Sequence, residues 1–164
     1  DKAFITNTFS SSFYKSINEN IIGSAKIYLA SIDGLGGDDV RISKRRGIST
    51  SRLRGFEKNK VGPVDGKDHV GGNYVASLNF ETNLPNVLPE NSNADVGLFL
   101  DFGNVWGVDY DSSIDESNEI RSSAGITLNW LSPIGPLNFV VSQNLSKADT
   151  DVTESFTFNL GTTF

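Results

Sequence analysis

Apolar and polar side chains alternate along seven stretches of this chain. A period of two is the mark of β-strands whose two faces meet different surroundings. The closing stretch, Glu154–Phe164, carries the pattern most plainly. Phe156, Phe158, Leu160 and Phe164 share one face with Thr162, while Ser155, Thr157, Asn159, Gly161 and Thr163 take the other. One of those faces must be covered, and the medium that covers it sets the function.

Six further strands are predicted at 4–14, 21–32, 73–84, 94–106, 120–131 and 137–145. In the third, Tyr74, Ala76, Leu78, Phe80 and Leu84 oppose Asn73, Ser77, Asn79, Glu81 and Asn83. In the fourth, Val96, Leu98, Leu100 and Phe102 oppose Asp95, Gly97, Phe99, Asp101 and Gly103. No segment has the 3.6-residue period of an amphipathic helix. A long irregular loop is expected over about 34–69, and Ser132-Pro-Ile-Gly-Pro136 reads as a tight turn. The fold class is therefore all-β, an antiparallel meander of about seven strands. Its connections alternate between short and long, as in outer-membrane barrels.

Alternation alone leaves two solvents open. In a soluble antiparallel sandwich the apolar faces would pack on each other. In a transmembrane barrel they would meet lipid, with strands of about 9–11 residues. Mean hydropathy is −0.23, and no run approaches the ~18–20 apolar residues of a membrane helix, which leaves the barrel untouched. The polar faces are rich in Ser, Thr, Asn and Gly rather than Lys and Glu, as suits a crowded lumen. Trp130 and Phe164 fall at strand ends, where aromatic girdles form. Both details favour the barrel.

Composition narrows the chemistry. There is no cysteine, hence no disulfide or thiolate site. A net charge of −6 supplies no basic stripe for nucleic acid. The chain opens on Asp1 with no signal-like segment after it, which suggests a piece cut from something longer.

Four segments, in order, carry a resemblance. Ser51-Arg-Leu-Arg-Gly-Phe-Glu57 looks like the (V/L)-R-G-(F/Y) signature of the outer-membrane assembly and secretion barrels, the bacterial surface antigen superfamily. Asp101-Phe-Gly-Asn-Val-Trp106 and Gly125–Leu137 resemble two more of its segments, and Phe156–Phe164 is similar to its terminal β-signal. The resemblance is strongest to the branch that assembles other barrels. It implies that residues 1–164 form the C-terminal part of a sixteen-stranded barrel, contributing the last seven strands. The family's periplasmic POTRA domains and first barrel strand would lie elsewhere. It also implies an integral protein of the Gram-negative outer membrane that folds and inserts β-barrel proteins. Implied partners are unfolded outer-membrane proteins, assembly-machine lipoproteins, membrane lipids and lipopolysaccharide, with no cofactor, metal or catalytic residue. Two alternatives stay open, a translocation or autotransporter-assembly barrel of the same superfamily and a soluble β-sandwich binding module.

The resemblance also implies site residues. The loop motif Arg54, Gly55 and Phe56 would fold back into the lumen, with Arg54 meeting acids on the wall. Asp101 falls at one family partner position. Asn79 stands at the other in place of an acid, and Glu81, two residues on and on the same face, could substitute. Gly55 would permit a turn and Phe56 would wedge the loop. Without the motif, Arg54 would read as a solvated loop charge like Arg45 and Arg46. The terminal seam strand, with Phe156, Phe158, Leu160, Gly161 and Phe164, would close the barrel and open to template an incoming strand.

Weaker signals point to nothing further. The acidic stretch 109–119 lacks the glycine and ligand register of an EF-hand and reads as a solvated loop. His69 has no companion His or Cys for zinc. Gly34-Leu-Gly-Gly37 precedes no helix and is no phosphate loop.

Overall fold

A computed structural model describes residues 3–114 and 116–161; Phe164, expected in the terminal strand, lies outside them. Seven strands form one antiparallel sheet. They are β1 (Phe4–Ser16), β2 (Ile22–Gly34), β5 (Tyr74–Leu84), β6 (Ala94–Trp106), β7 (Arg121–Ser132), β8 (Gly135–Ser146) and β9 (Phe156–Leu160), in that spatial order. A separate hairpin, β3 (Val64–Asp65) with β4 (Asp68–His69), sits inside the long loop. The register is continuous except at one irregularity between Ser122 and Ser123.

The two faces invert the soluble pattern. Leu29, Phe80, Leu98, Ile126, Val141, Phe156 and Phe158 stand exposed on one face. Ser77, Asn79, Asp101, Ser123, Thr127 and Ser142 are buried on the other. A sandwich would bury the first set, so that alternative is corrected: among the described residues no second sheet covers the seven-stranded one on its apolar face, which is bare. Phe139 and Phe158, cross-strand partners, stack there with centroids 5.0 Å apart.

Connections at one rim span 17–21, 85–93 and 133–134. The β7–β8 hairpin turns on Pro133 and Ile134 alone, because Ser132 already pairs with Gly135. The turn is thus tighter than 132–136, and β8 begins earlier than the pattern suggests. At the opposite rim lie 35–73, 107–120 and 147–155, the first two longer than any connection at the first rim.

The long loop is not irregular throughout, contrary to expectation. It holds a 3-10 turn at Ile42–Lys44 and the β3–β4 hairpin, and it folds back over the polar face. Ile48, Leu53, Phe56 and Val61 from the loop pack on Val75 and Val105 of the wall, with Tyr28 at the margin. Near the long-loop rim the alternation fails, since Tyr74-Val75 and Val105-Trp106 are apolar at successive positions. A strand apolar on both sides is covered on both sides. That is the signal for where the loop lands.

Glycine makes room at one critical wall position. A Cβ at Gly125 would lie 2.1 Å from the Val141 carbonyl oxygen and 2.7 Å from the Phe99 ring. We expect Gly125→Ala to cost about 1–3 kcal/mol through overpacking. The whole protein would then lose its compact, heat-modifiable electrophoretic form at a lower temperature, and an unchanged transition would contradict this packing.

Candidate functional site in the barrel lumen

The loop reaches the wall through a short, tightly wound turn. The Arg52 and Leu53 amides both donate to the Ser49 carbonyl, at 3.0 and 3.1 Å. Gly55 then reverses the chain at φ +89°, a conformation that side-chain-bearing residues rarely adopt. A Cβ there would also press on Ser142 Oγ at 3.0 Å and Asn144 Nδ2 at 3.2 Å. Leu53 and Phe56, 0% and 1% exposed, bury on either side of the turn. Arg54 is left between two apolar anchors, aimed at the wall.

Its guanidinium is fully engaged. Nε and Nη2 donate to the two oxygens of Asp101, each at 2.7 Å, and Nη1 donates to Glu81 Oε2 at 2.5 Å. The Arg54 amide adds a 3.0 Å bond to Asp101 Oδ2. Its carbonyl accepts from Ser123 Oγ, and its guanidinium carbon lies 3.9 Å from the Phe99 ring centroid. A planar fork donating along two edges while stacking on an aromatic is a task for arginine and not lysine. The Asp101 side chain is wholly buried, whereas that of Glu81 is 35% exposed. The second carboxylate therefore keeps part of its hydration. The Asn79 amide donates not to Arg54's acids but to the Arg52 carbonyl, at 2.8 Å. Arg52 stacks on Tyr28, at 3.7 Å.

The motif is also stitched to the connection 147–155. Phe56 forms a bridge with Thr153, and the Glu57 amide donates to the Val152 carbonyl at 2.9 Å. Gly55 O accepts from both the Glu154 amide and Asn144 Nδ2, at 3.0 and 2.8 Å. Below the turn, a cavity of about 490 Å³ runs from Arg54 and Glu81 to Thr157 and Asn159 on β9. Phe156, Phe158 and Leu160 point away from it, onto the bare face.

Two further arginine clusters escaped sequence reasoning. Arg121 on β7 and Asp151 are both 0% exposed in their side chains and pair through two bonds, at 2.8 and 2.9 Å. The lumen phase of Arg121 was legible, but nothing in sequence marked Asp151. Arg45 was expected to be solvated like Arg46; that reading is corrected. Its buried side chain pairs with Asp109 and donates to Asn73 Oδ1 at 2.9 Å. Arg46 is likewise partly covered, and its backbone pairs with Gly72. The acidic stretch is thus not purely solvated at its first residue. His69 contacts the Thr150 carbonyl through Nε2 at 2.9 Å. Among the described residues, no His, Cys, Asp and Glu side chains gather as a metal site.

The sequence matches the Omp85 superfamily domain over residues 1–164. The chain belongs to the Omp85 superfamily. Similar proteins include the outer membrane protein assembly factor BamA of Neisseria meningitidis serogroup B, 33% identical over 68% of this chain and 17% of that protein. BamA of Neorickettsia risticii is 27% identical over 100% of this chain and 22% of its own length. The Omp85 chain thus spans about a fifth of these curated relatives. Its fold matches the crystal structure of BamA from Haemophilus ducreyi lacking POTRA domains 1-3, with a TM-score of 0.81 and 26% identity, over 94% of this chain and 34% of that one. The bare apolar face is accordingly the lipid face of an outer-membrane β-barrel, and the covered face is its lumen wall.

Two outcomes follow for this Omp85 barrel. Removing one member of a buried ion pair costs about 3–5 kcal/mol, so Arg54→Ala and Asp101→Ala should each destabilise the whole protein by that order. Their combination should cost less than the sum by more than about 1 kcal/mol, and additivity would rule out direct coupling. The second outcome concerns pH. Partial burial pushes Asp109 upward, but the Val40 amide, Asn73 and Arg45 outweigh it and hold the carboxyl below its usual value. That contribution is complete above the unfolded carboxyl pKa of about 3.9 and is lost as pH falls through the lower folded value. Melting curves of the parent and Asp109→Asn should therefore differ at neutral pH and converge in strong acid.

Proposed function

We propose that this Omp85 segment belongs to a factor that folds β-barrel proteins and inserts them into the outer membrane. The work would be done without cofactor, metal or catalytic residue, by strand templating at a lateral seam and by local perturbation of the bilayer. Its clients are unfolded outer-membrane proteins. Assembly-machine lipoproteins, membrane lipids and lipopolysaccharide are its other partners.

One observation carries the reading. Among the described residues β9 stands at one end of the strand order, as β1 does at the other, and its ladder with β8 runs from Val141–Phe156 to Leu137–Leu160. By contrast, β1 and β2 pair from Phe4–Gly34 through Ser16–Ile22. An edge offers unpaired backbone donors and acceptors. Strand addition at such an edge draws its affinity from main-chain bonds and tolerates any client side chains on the lipid face. Gly161, at φ +95°, allows the chain to bend directly after the ladder.

Within this reading Arg54, Asp101 and Glu81 form a charge-assisted lock that holds the shape of the barrel while its seam opens. Gly55 gives the lock its turn and Phe56 its anchor. The relatives named above are assembly factors, which supports the choice of assembly over translocation.

A cross-link joining β9 to the strand across the seam in the whole protein should stop assembly of new barrels, with the reduced form active. Undiminished assembly by the cross-linked protein would remove lateral opening from the mechanism.

A further inference from the structure

The connection 147–155 is exposed over most of its length, yet Ala148 and Asp151 are buried against the covered face. Asp151 turns inward and accepts both Arg121 bonds, at 2.8 and 2.9 Å, and the Ala148 amide, at 2.8 Å. Arg121 spends its remaining nitrogen on Asn104 Oδ1 and the Glu119 carbonyl, both at 2.7 Å. The bonds of this buried pair thus run to β6, to the 107–120 connection and to the 147–155 connection itself. A doubly bonded carboxylate of this kind fixes orientation as well as position.

From that fixed point the chain runs into two dependents. On one side, residues 152–154 serve as a partner strand for the Arg54 turn, through the Phe56–Thr153 bridge and the bonds from Glu57 to Val152, Val152 to Lys60 and Glu154 to Gly55, at 2.9, 3.1 and 3.0 Å. On the other, Ser142 holds the Ser155 carbonyl through its amide at 2.9 Å and its hydroxyl at 3.3 Å. The seam strand begins at the next residue. Upstream of Ser155 the chain is gripped from several sides; downstream, among the described residues, β9 is held on its β8 side by the ladder, a 2.9 Å bond from the Gly161 amide to the Pro136 carbonyl and a 3.4 Å bond from Asn159 to Asn138.

We infer that Arg121 and Asp151 are positioning residues for the seam. Their ion pair pins the connection, the connection carries both the Arg54 turn and the root of β9, and peeling of the terminal strand halts at Ser155. The lock and the seam therefore move together, although Arg54 touches no residue of β9. This inference rests on the lateral-seam reading for its purpose, but not for its test.

The test is amide hydrogen exchange on the whole protein in lipid nanodiscs, read separately over 148–155, 156–160 and β5 to β6. In the parent, 156–160 should exchange as one unit, faster than 152–155. Asp151→Asn should speed exchange of both segments tenfold or more and leave β5 and β6 unmoved. Faster exchange confined to 148–155 would overturn the inference. Should the variant fail to assemble, a second arm decides. Glu57→Cys with Val152→Cys, both exposed positions, can be joined by a short thiol cross-linker. Joining them should slow exchange at 156–160, and an unchanged rate there would overturn the coupling. Neither readout requires client assembly, so failure of this inference and failure of the seam mechanism remain distinguishable.

Discussion

A sheet that turns its apolar side chains outward to lipid cannot build its core on that face. The other face must supply one, and here it does so only because the long loop returns into the lumen. Leu53 and Phe56 bring apolar surface to a wall patch of Val75 and Val105, and burial of each such side chain is worth about 1.5–3 kcal/mol. That packing sets the position of the turn, and the turn sets the position of Arg54. The rest of the lumen arrangement depends on this one return.

Charge then does what packing cannot. Among the described residues, three arginines pair with acids at the covered face. Arg45 joins the long loop to Asp109 of the 107–120 connection, Arg54 joins it to Asp101 and Glu81 of the wall, and Arg121 joins the wall to Asp151 of the 147–155 connection. All three connections of this rim are thus held to each other or to the strands. Buried ion pairs contribute little net stability, because desolvation offsets their attraction. They do penalise any arrangement that leaves one charge unpaired, and so they select a single packing of these loops from several of similar apolar burial.

This division of labour suits a barrel that must keep its shape while one strand is weakly held. The wall members of these pairs lie on β5, β6 and β7, and Asp151 alone sits on the connection that leads to β9. The edge itself has a short ladder and an exposed apolar face. Rigidity and lability meet at Ser155, where the pinned connection gives way to β9. Local opening draws on regions with few buried contacts, and β9 is such a region by construction.

The sequence by itself determined the strands, because a period of two is written locally and lipid and lumen each impose it without reference to distant residues. All seven sheet strands lie within a few residues of the predicted spans, and the side of the sheet taken by Phe80, Leu98, Ile126 and Phe158 follows directly from parity. The Arg54 motif and its wall residues Asp101 and Glu81 were legible only through family resemblance, since nothing local says that residue 54 meets residue 101. Tertiary structure alone decided the rest: that Asn79 serves Arg52, that Arg45 is buried, that Asp151 pairs with Arg121, and that the connection before β9 turns Ala148 and Asp151 inward. Each of those outcomes joins residues far apart in the chain through a loop path. A loop has no periodicity to reveal which face it will present, so the partner of a charge within it is settled by the space the folded wall leaves open.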